Sequence, residues 1–226
     1  MGIGGSAFSR EELAVYEECT CLSSAEILEL YAKFKDLGGS RSKDESDEKV
    51  VRGAGAALRL SVPDMEGGGA TSSTKGESGL LATKQAICEQ SELRNNPFRF
   101  RLCEIFTSMD PNSPHYGALS FDEYVDLYNV MSPRASKEDK MKTAFRLYDY
   151  DGNGYLTPED ITELLKQLST TPKGRELLTE KEVHDIVERV MRDCDIDGNN
   201  RLSYQEFSKV LNRIPDFQVK FRVYIQ

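Results

Sequence analysis

The sequence predicts an all-α fold in which four helix-loop-helix units pair into two lobes. Two stretches, residues 149–160 and 195–206, space Asp and Asn side chains two residues apart. On both sides of these stretches apolar residues recur every three or four positions, as on the buried face of an amphipathic helix. Capping boxes, in which Ser or Thr is followed three residues later by Glu, mark helix starts at Ser23 and Thr179.

Residues 149–160 match an EF-hand loop, a twelve-residue turn that supplies oxygen ligands to a hard cation. Gly154 at position six permits the left-handed backbone of the turn, and Leu156 at position eight is expected to pair with the other loop. The last ligand is Asp160 rather than the longer Glu, so we expect this site to accept Mg²⁺ as readily as Ca²⁺. The predicted ligands of this third unit are Asp149, Asp151, Asn153, the Tyr155 carbonyl, Thr157 and Asp160.

The fourth unit can be aligned to the motif in two registers. An opening at Asp193 places Asn200 at position eight and Tyr204 at position twelve, which supply neither the apolar residue nor the closing acid. An opening two residues later places Leu202 and Glu206 there, so this register is favoured and is expected to give the better Ca²⁺ site. Asn200 then stands at position six, where Asn tolerates positive φ better than any residue except Gly. The predicted ligands are Asp195, Asp197, Asn199, the Arg201 carbonyl, Ser203 and a bidentate Glu206.

The first half of the chain predicts an N-lobe, residues 9–131, with two degenerate EF-hands. Helices are expected over residues 8–18 and from Ser23 onward. A Gly- and Ser-rich insertion, residues 38–81, replaces the first loop and is predicted to be mostly disordered, with a short helix over 50–60 left open. We expect no ion in this lobe, because the second loop keeps its closing Glu123 but has Pro114 and Tyr116 at ligand positions.

The C-lobe, residues 132–213, and the apolar extension, residues 214–226, predict a hydrophobic groove for a partner's amphipathic helix. Apolar residues alternate with polar ones from Phe217 onward, which predicts an extended tail. This tail either packs permanently on the core or leaves the groove when a partner binds. The predicted groove residues are Phe145, Leu164, Leu165, Leu168, Val183, Ile186, Val187, Val190, Phe207, Val210, Leu211, Phe217 and Phe221.

Composition predicts a cytoplasmic protein that does not bind nucleic acid. The formal net charge is −9 over 226 residues, and the five cysteines are odd in number and lack zinc-site spacing. Residues 1–8 form a Gly-rich terminus that is either simply flexible or an N-myristoylation signal with Gly2 as acceptor. One myristoyl chain binds membranes only marginally, so any residence at the plasma membrane would be peripheral and would need a second signal.

Several segments together make the chain resemble the calcium- and integrin-binding protein family. They are the Met-Gly start, residues 16–20 and 23–34, the Asn-Pro-Phe segment within 92–98, residues 119–124 and 144–149, and the Pro-Asp-Phe of 215–217. The resemblance implies four EF-hands with ions in the last two only. It also implies a groove for amphipathic helices from cytoplasmic parts of membrane proteins, such as integrin α tails or channels, with a C-terminal segment that moves for partners. The chain departs from the family in its insertion, its second loop and Asn200.

Two other functions remain open on the sequence. A cytosolic Ca²⁺ buffer would bind ions with little opening of the lobe. A regulatory subunit of a phosphatase, similar to calcineurin B, would share the four EF-hands and the lipid site, although more of its loops usually carry full ligand sets. The sequence does not favour an enzyme, because the conspicuous carboxylates are assigned to ions and no nucleophile with its base can be grouped.

Overall fold

The computed structural model describes residues 8–38, 80–107, 117–171, 174–214 and 217. Residues 1–7 with Gly2, residues 39–79, residues 108–116 with the first part of the second loop, residues 172–173 and 215–216, and residues 218–226 with Phe221 lie outside these ranges. Within them the chain is mostly helical with one two-stranded antiparallel sheet, which confirms the predicted all-α class. No helix in the described ranges combines the length and the apolar character needed to cross a membrane.

The described residues form two compact units that divide between Ala135 and Ser136. Three capping boxes in the first unit, at Ser9, Ser23 and Ser120, fix the starts of helices because each serine and the Glu three residues later satisfy one another's amides. The first unit contains α1 (Arg10–Cys19), α2 (Ser24–Leu37), β1 (Ala82–Thr83), α3 (Lys84–Cys88), α4 (Arg99–Phe106), β2 (Ala118–Leu119) and α5 (Phe121–Met131).

The two ends of the insertion meet beside the short sheet. Gly38 caps α2, and a Cβ placed on it would lie 3.5 Å from Leu80 Cδ2 and 3.6 Å from the Leu81 carbonyl oxygen. β1 follows at once, and its Ala82 pairs with Leu119, the residue at position eight of the second loop. The helices α2 and α3 and the strand β1 therefore form the first EF-hand. The sequence predicts neither β1 nor α3, since two and five residues are too few to show a period.

Helix α1 contacts α5 through Tyr16 and a pair of acids. The Tyr16 hydroxyl donates a hydrogen bond to the Asp122 carboxylate, and its ring centroid lies 5.9 Å from that of Phe121. One turn further along α5, the partly buried Asp126 lines a small cavity together with residues of α1. Burial, followed by the charges of Asp122 and Glu123, raises the pKa of Asp126 to about 7. A carboxyl that titrates near neutral pH therefore lies against α1.

The second unit is a pair of EF-hands around one apolar core. Its helices are α6 (Lys137–Tyr148), α7 (Pro158–Ser169), α8 (Glu180–Cys194) and α9 (Tyr204–Asn212). The predicted capping box at Thr179 begins α8, and Pro158 is the first residue of α7. Leu156 and Leu202 form the predicted antiparallel bridge between the loops, with N···O distances of 2.9 and 2.8 Å. The core cluster is Met141, Ala144, Phe145, Leu156, Ile161, Val183, Val187, Met191, Leu202, Phe207 and Leu211.

Candidate metal centres

The loop between α6 and α7 brings three carboxylates close together. Asp149, Asp151 and Asp160 each present an oxygen, and these oxygens lie within 4.8 Å of one another. The Asp149 carboxylate accepts hydrogen bonds from the amides of Asn153 (3.1 Å) and Gly154 (2.9 Å), which fix it inside the turn. Asp151 accepts from the same Asn153 amide at 3.0 Å. The backbone of the loop therefore orients negative side chains toward a shared space.

Electrostatic repulsion accumulates in this loop. Burial raises the pKa of Asp149, and contact with Asp151 and the charge of Asp160 raise it further against the opposing hydrogen bond from Gly154. Asp149 and Asp160 are buried, and buried charges are costly unless they are paired or coordinate a metal. A bound divalent cation would neutralise this charge, so the residues present fit such an ion.

The loop between α8 and α9 has the same arrangement when its first position is Asp195 rather than Asp193. Asp195, Asp197 and Glu206 present oxygens within 4.8 Å of one another. The Asp195 carboxylate accepts from the amides of Asn199 (3.2 Å) and Asn200 (2.8 Å). These bonds match those of Asp149 in the third unit, which supports the register that opens at Asp195.

Asn200 adopts the left-handed conformation that its position requires. Its φ is +61°, and it is the only residue other than Gly with positive φ among those described. Gly154, at the same position of the preceding loop, has a φ of +84°. The predicted tolerance of Asn for this turn is confirmed, at a cost of local strain that Gly would not carry.

The closing acids of the two loops make equivalent contacts despite their different lengths. Both oxygens of Asp160 are engaged, one with the Tyr150 amide (2.9 Å) and one with the amide (2.9 Å) and hydroxyl (2.7 Å) of Thr157. Glu206 accepts from the Ile196 amide at 2.8 Å and from the amide of Ser203 at 2.9 Å. Asp160 therefore makes the same bonds as Glu206 although its side chain has one methylene fewer.

Hydrogen bonds at Glu206 favour its ionised form. Burial raises the pKa of Glu206, but the bonds from Ser203 and from the amides of Ile196 and Asp197 outweigh it, and the pKa is lowered. The Ser203 hydroxyl donates to this carboxylate at 2.8 Å, as the Thr157 hydroxyl does to Asp160. Side chains at position nine are thus held by the closing acid, an arrangement that suits contact with an ion through water.

The donor set of both loops consists of oxygen atoms. Carboxylate, amide and carbonyl oxygens are the ligands that Ca²⁺ and Mg²⁺ accept, whereas softer metals prefer imidazole or thiolate. Asn153 and Asn199 place their side-chain oxygens within 2.8 and 3.1 Å of the amides of Tyr155 and Arg201, the residues whose carbonyls are the predicted ligands.

The two loops also touch through the side chains at position seven. The Arg201 guanidinium carbon lies 3.8 Å from the centroid of the Tyr155 ring, a cation–π contact. The bridge between Leu156 and Leu202 lies next to it in the sequence. Each predicted carbonyl ligand at position seven is therefore flanked by contacts to the neighbouring loop.

The described residues of the first unit offer no comparable cluster. In the first EF-hand the residue paired with Leu119 is Ala82, so the closing position falls on Ala86, which has no carboxylate. In the second, Gly117 has a φ of +78° and Glu123 accepts from the Ser120 amide at 2.7 Å. Pro114, His115 and Tyr116 lie outside the described residues.

The predicted groove residues fall into groups that differ in exposure. Phe145, Val183, Val187, Phe207 and Leu211 are buried in the core of the second unit. Leu165, Val190 and Phe217 are partly buried and pack against it. Leu164, Ile186 and Val210 are partly buried, and Leu168 is 52% exposed. Phe217 itself is helical and its amide donates to the Ile214 carbonyl (3.5 Å), where the alternating pattern predicts an extended segment.

Comparisons with known proteins agree with this geometry. A family model described as an EF-hand domain pair matches residues 138–211. The chain is 32% identical over 225 residues to the calcium and integrin-binding family member 2 of Drosophila melanogaster, covering 100% of both chains. It is 29% identical over 226 residues to the Danio rerio family member 2 and 27% identical over 225 residues to the human family member 3, again covering 100% of each chain.

Proposed function

The chain belongs to the calcium and integrin-binding family, and from this premise we propose that it is a Ca²⁺/Mg²⁺-responsive adaptor. Its second unit holds ions in the loops 149–160 and 195–206 and binds an amphipathic helix from the cytoplasmic segment of a membrane protein. The observation that carries the proposal is the convergence of two carboxylate triads, joined by one bridge, within a single apolar unit.

The ligands of each site are those that the motif predicts. The side chains of Asp149, Asp151, Asn153 and Asp160 and the Tyr155 carbonyl hold the third ion, with Thr157 acting through water. Asp195, Asp197, Asn199, Glu206 and the Arg201 carbonyl hold the fourth, with Ser203 in the same indirect role. The third site accepts Mg²⁺ as well as Ca²⁺, because its closing acid is the shorter Asp160.

The partner helix binds to apolar side chains of the second unit that the core leaves partly uncovered. Leu164 and Leu168 are one turn apart on α7, and Ile186 and Val190 are one turn apart on α8. Such pairs present the i, i+4 spacing that accepts the apolar stripe of a helix. Phe217 packs on the same core, so a partner helix that binds to this core competes with Phe217.

The partner class follows from the relatives, which are named for binding calcium and integrin. The cytoplasmic tail of an integrin α subunit, or a comparable segment of a channel, is therefore the first class to test. An acyl chain on Gly2 would bring the protein to the cytoplasmic face of the plasma membrane as a peripheral component. The net charge of −9 disfavours binding to nucleic acid.

Calorimetry of the full chain tests the ion sites. Titrating Ca²⁺ into Mg²⁺-loaded protein is expected to give two binding events, and Asp149→Ala or Glu206→Ala to remove one of them. Glu123→Ala is the matched control, since Glu123 closes the degenerate second loop and its loss leaves both events in place. If the unmodified chain takes up neither ion, the proposal is wrong.

A helical peptide tests the partner site separately. The peptide carries Leu and Phe at i, i+3, i+4 and i+7, and its control has Ser at those positions. The ion-loaded chain is expected to bind the first peptide only, and Leu164→Ser with Leu168→Ser to weaken binding by tenfold or more, on the order of two lost apolar contacts. Gln205→Ser, on the exposed face of α9, serves as the control variant.

A Ca²⁺ buffer is the second candidate, and the closed interior of the second unit favours it. Val183, Val187, Phe207 and Leu211 are each no more than 9% exposed. Buffer EF-hands open little on binding. A dye that reports exposed apolar surface separates the two functions: a Ca²⁺-dependent rise in fluorescence indicates the adaptor, and no change indicates the buffer.

A further inference from the structure

A cavity of about 890 Å³ lies between α7 and α8, within the second unit. Its floor is apolar and is formed by Leu178, Val183, Val187 and Met191. Leu164, Leu168, Ile186 and Val190, the apolar side chains assigned above to the partner helix, do not line it, whereas Val183 and Val187 of the groove predicted from the sequence do.

The rim of this cavity is predominantly negative. It carries five carboxylates, from Glu159, Glu163, Glu176, Glu180 and Glu188, against the basic side chains of Lys166 and Arg192. In the part of the chain that the structure describes, Glu188 has one ion-pair contact, 3.6 Å to His184, which is charged only when protonated. Glu159, Glu163 and Glu180 make no ion pair with a described basic residue. The acidic rim is therefore available to a cation from outside the unit.

The dimensions suit a peptide rather than an ion. The lining runs from Pro158 to Ser169 on α7 and from Glu180 to Arg192 on α8, a length of roughly 16–18 Å at the helical rise. An extended chain covers that distance with about five residues. A volume near 890 Å³ also exceeds what one large side chain fills.

We propose that the cavity between α7 and α8 binds a short basic peptide segment with a large apolar side chain at its centre. The apolar side chain lies on Val183, Val187 and Met191, and flanking Lys or Arg residues pair with Glu163 on one helix and Glu188 on the other. An acidic segment is excluded, because its charges would face the same five carboxylates. This surface acts independently of the apolar face that receives the partner helix.

Two peptides of matched shape test the proposal on the full, ion-loaded chain. Each has twelve residues with a central Leu-Phe pair; one is flanked by four Lys residues and the other by four Glu residues. Fluorescence anisotropy is expected to show binding of the Lys peptide only, weakened about tenfold when NaCl rises from about 50 to 500 mM, because salt screens exposed charge pairs.

Charge reversal locates the binding surface. Glu163→Lys is expected to weaken binding of the Lys peptide by about threefold to tenfold, since it replaces one surface attraction with a repulsion. Asp185→Lys makes the same charge change on α8 at an exposed residue that does not line the cavity, and is expected to have less than a twofold effect. Leu168→Ser is expected to leave binding unchanged, which separates this surface from the partner-helix face.

Three outcomes overturn the proposal: neither peptide binds, both bind equally, or Asp185→Lys weakens binding as much as Glu163→Lys. Far-UV circular dichroism checks that each variant is folded. If Glu163→Lys unfolds the unit, Glu163→Gln and the salt titration of the unmodified chain decide the question. If the chain takes up no Ca²⁺ but still binds the Lys peptide, the proposed function is wrong and the peptide-binding surface proposed here is still supported.

Discussion

Replacing Arg201 or Tyr155 tests whether the two ion loops act as one unit. These residues stand at position seven of their loops, and the guanidinium carbon of Arg201 lies 3.8 Å from the Tyr155 ring centroid. Position seven offers only its backbone carbonyl to an ion, so changes of either side chain leave both proposed ligand sets intact. We use Arg201→Met, which keeps the aliphatic stem, and Tyr155→Leu, which keeps an apolar side chain.

The size of the effect follows from the exposure of the pair. Arg201 is exposed and Tyr155 only partly buried, so the contact belongs at the lower end of the range for cation–π pairs, about 0.5–1 kcal/mol. The double variant is therefore expected to be more stable than the sum of the single effects predicts, by that coupling energy. If removing the contact also weakens the coupling between the two ion sites by this same energy, the affinity for the second ion falls by about twofold to fivefold.

The assay is a double-mutant cycle on the full chain, measured by urea unfolding with EDTA and again with saturating Ca²⁺. Lys209→Met is the control for Arg201→Met, since Lys209 is an exposed cation on α9 that makes no ring contact with any described residue. A coupling energy below about 0.3 kcal/mol in both conditions, which is the usual scatter of additive sites, would refute the reasoning. Equal coupling between Lys209 and Tyr155 would refute it as well.

Three further predictions concern single residues. Asn200→Ala is expected to lower the free energy of unfolding by about 1 kcal/mol and Asn200→Gly to change it by less than about 0.5, because Ala is more strained than Asn or Gly at a φ of +61°; urea unfolding in EDTA measures both, and equal effects would contradict the argument. Asp160→Glu is expected to raise the preference of the third site for Ca²⁺ over Mg²⁺ roughly tenfold, because a longer acid completes a larger cage; calorimetry with each ion checks this, and unchanged selectivity would count against it. The pKa of Asp126 is raised to about 7, so the folded state binds an extra proton between about pH 4 and 7 and stability falls as pH rises through that window. Asp126→Asn is expected to remove this fall and to stabilise the chain at pH 8 by ~1–3 kcal/mol, discounted for partial exposure; Asp36→Asn, the same change at an exposed residue of α2, is the control, and an unaltered pH profile for Asp126→Asn would show the assignment to be wrong.

The sequence predicts the second unit well because its signals are strong and local. Capping residues predict a helix start to the residue, as at Thr179. The choice of register in the fourth unit depends on position eight, and the bridge from Leu156 to Leu202 agrees with the opening at Asp195. In this half of the chain the local sequence signals and the pairing of the two loops indicate the same helix starts and the same register.

The first unit is harder to predict because its defining features are short and separated by the insertion. β1 and α3 become recognisable only through the pairing of Ala82 with Leu119, a contact between residues distant in the sequence. The cavity between α7 and α8 escapes prediction for a related reason, since its lining joins polar and apolar side chains from two helices and from the segment between them. The helical period of Val183 and Val187 indicates burial, but it does not indicate that an open space adjoins them.

Gly38 and Leu80, the residues at the two ends of the insertion, lie next to one another, so the first EF-hand can accept an inserted domain at this point. A folded reporter whose own termini are close together could replace residues 39–79 without prising α2 away from β1. If the inserted reporter is a fluorescent protein, its emission would report conformational change in the first unit, while the sequences on either side of both ion loops stay unchanged. The protein therefore offers a site for inserting a second domain, in the unit that carries neither of the proposed ion sites.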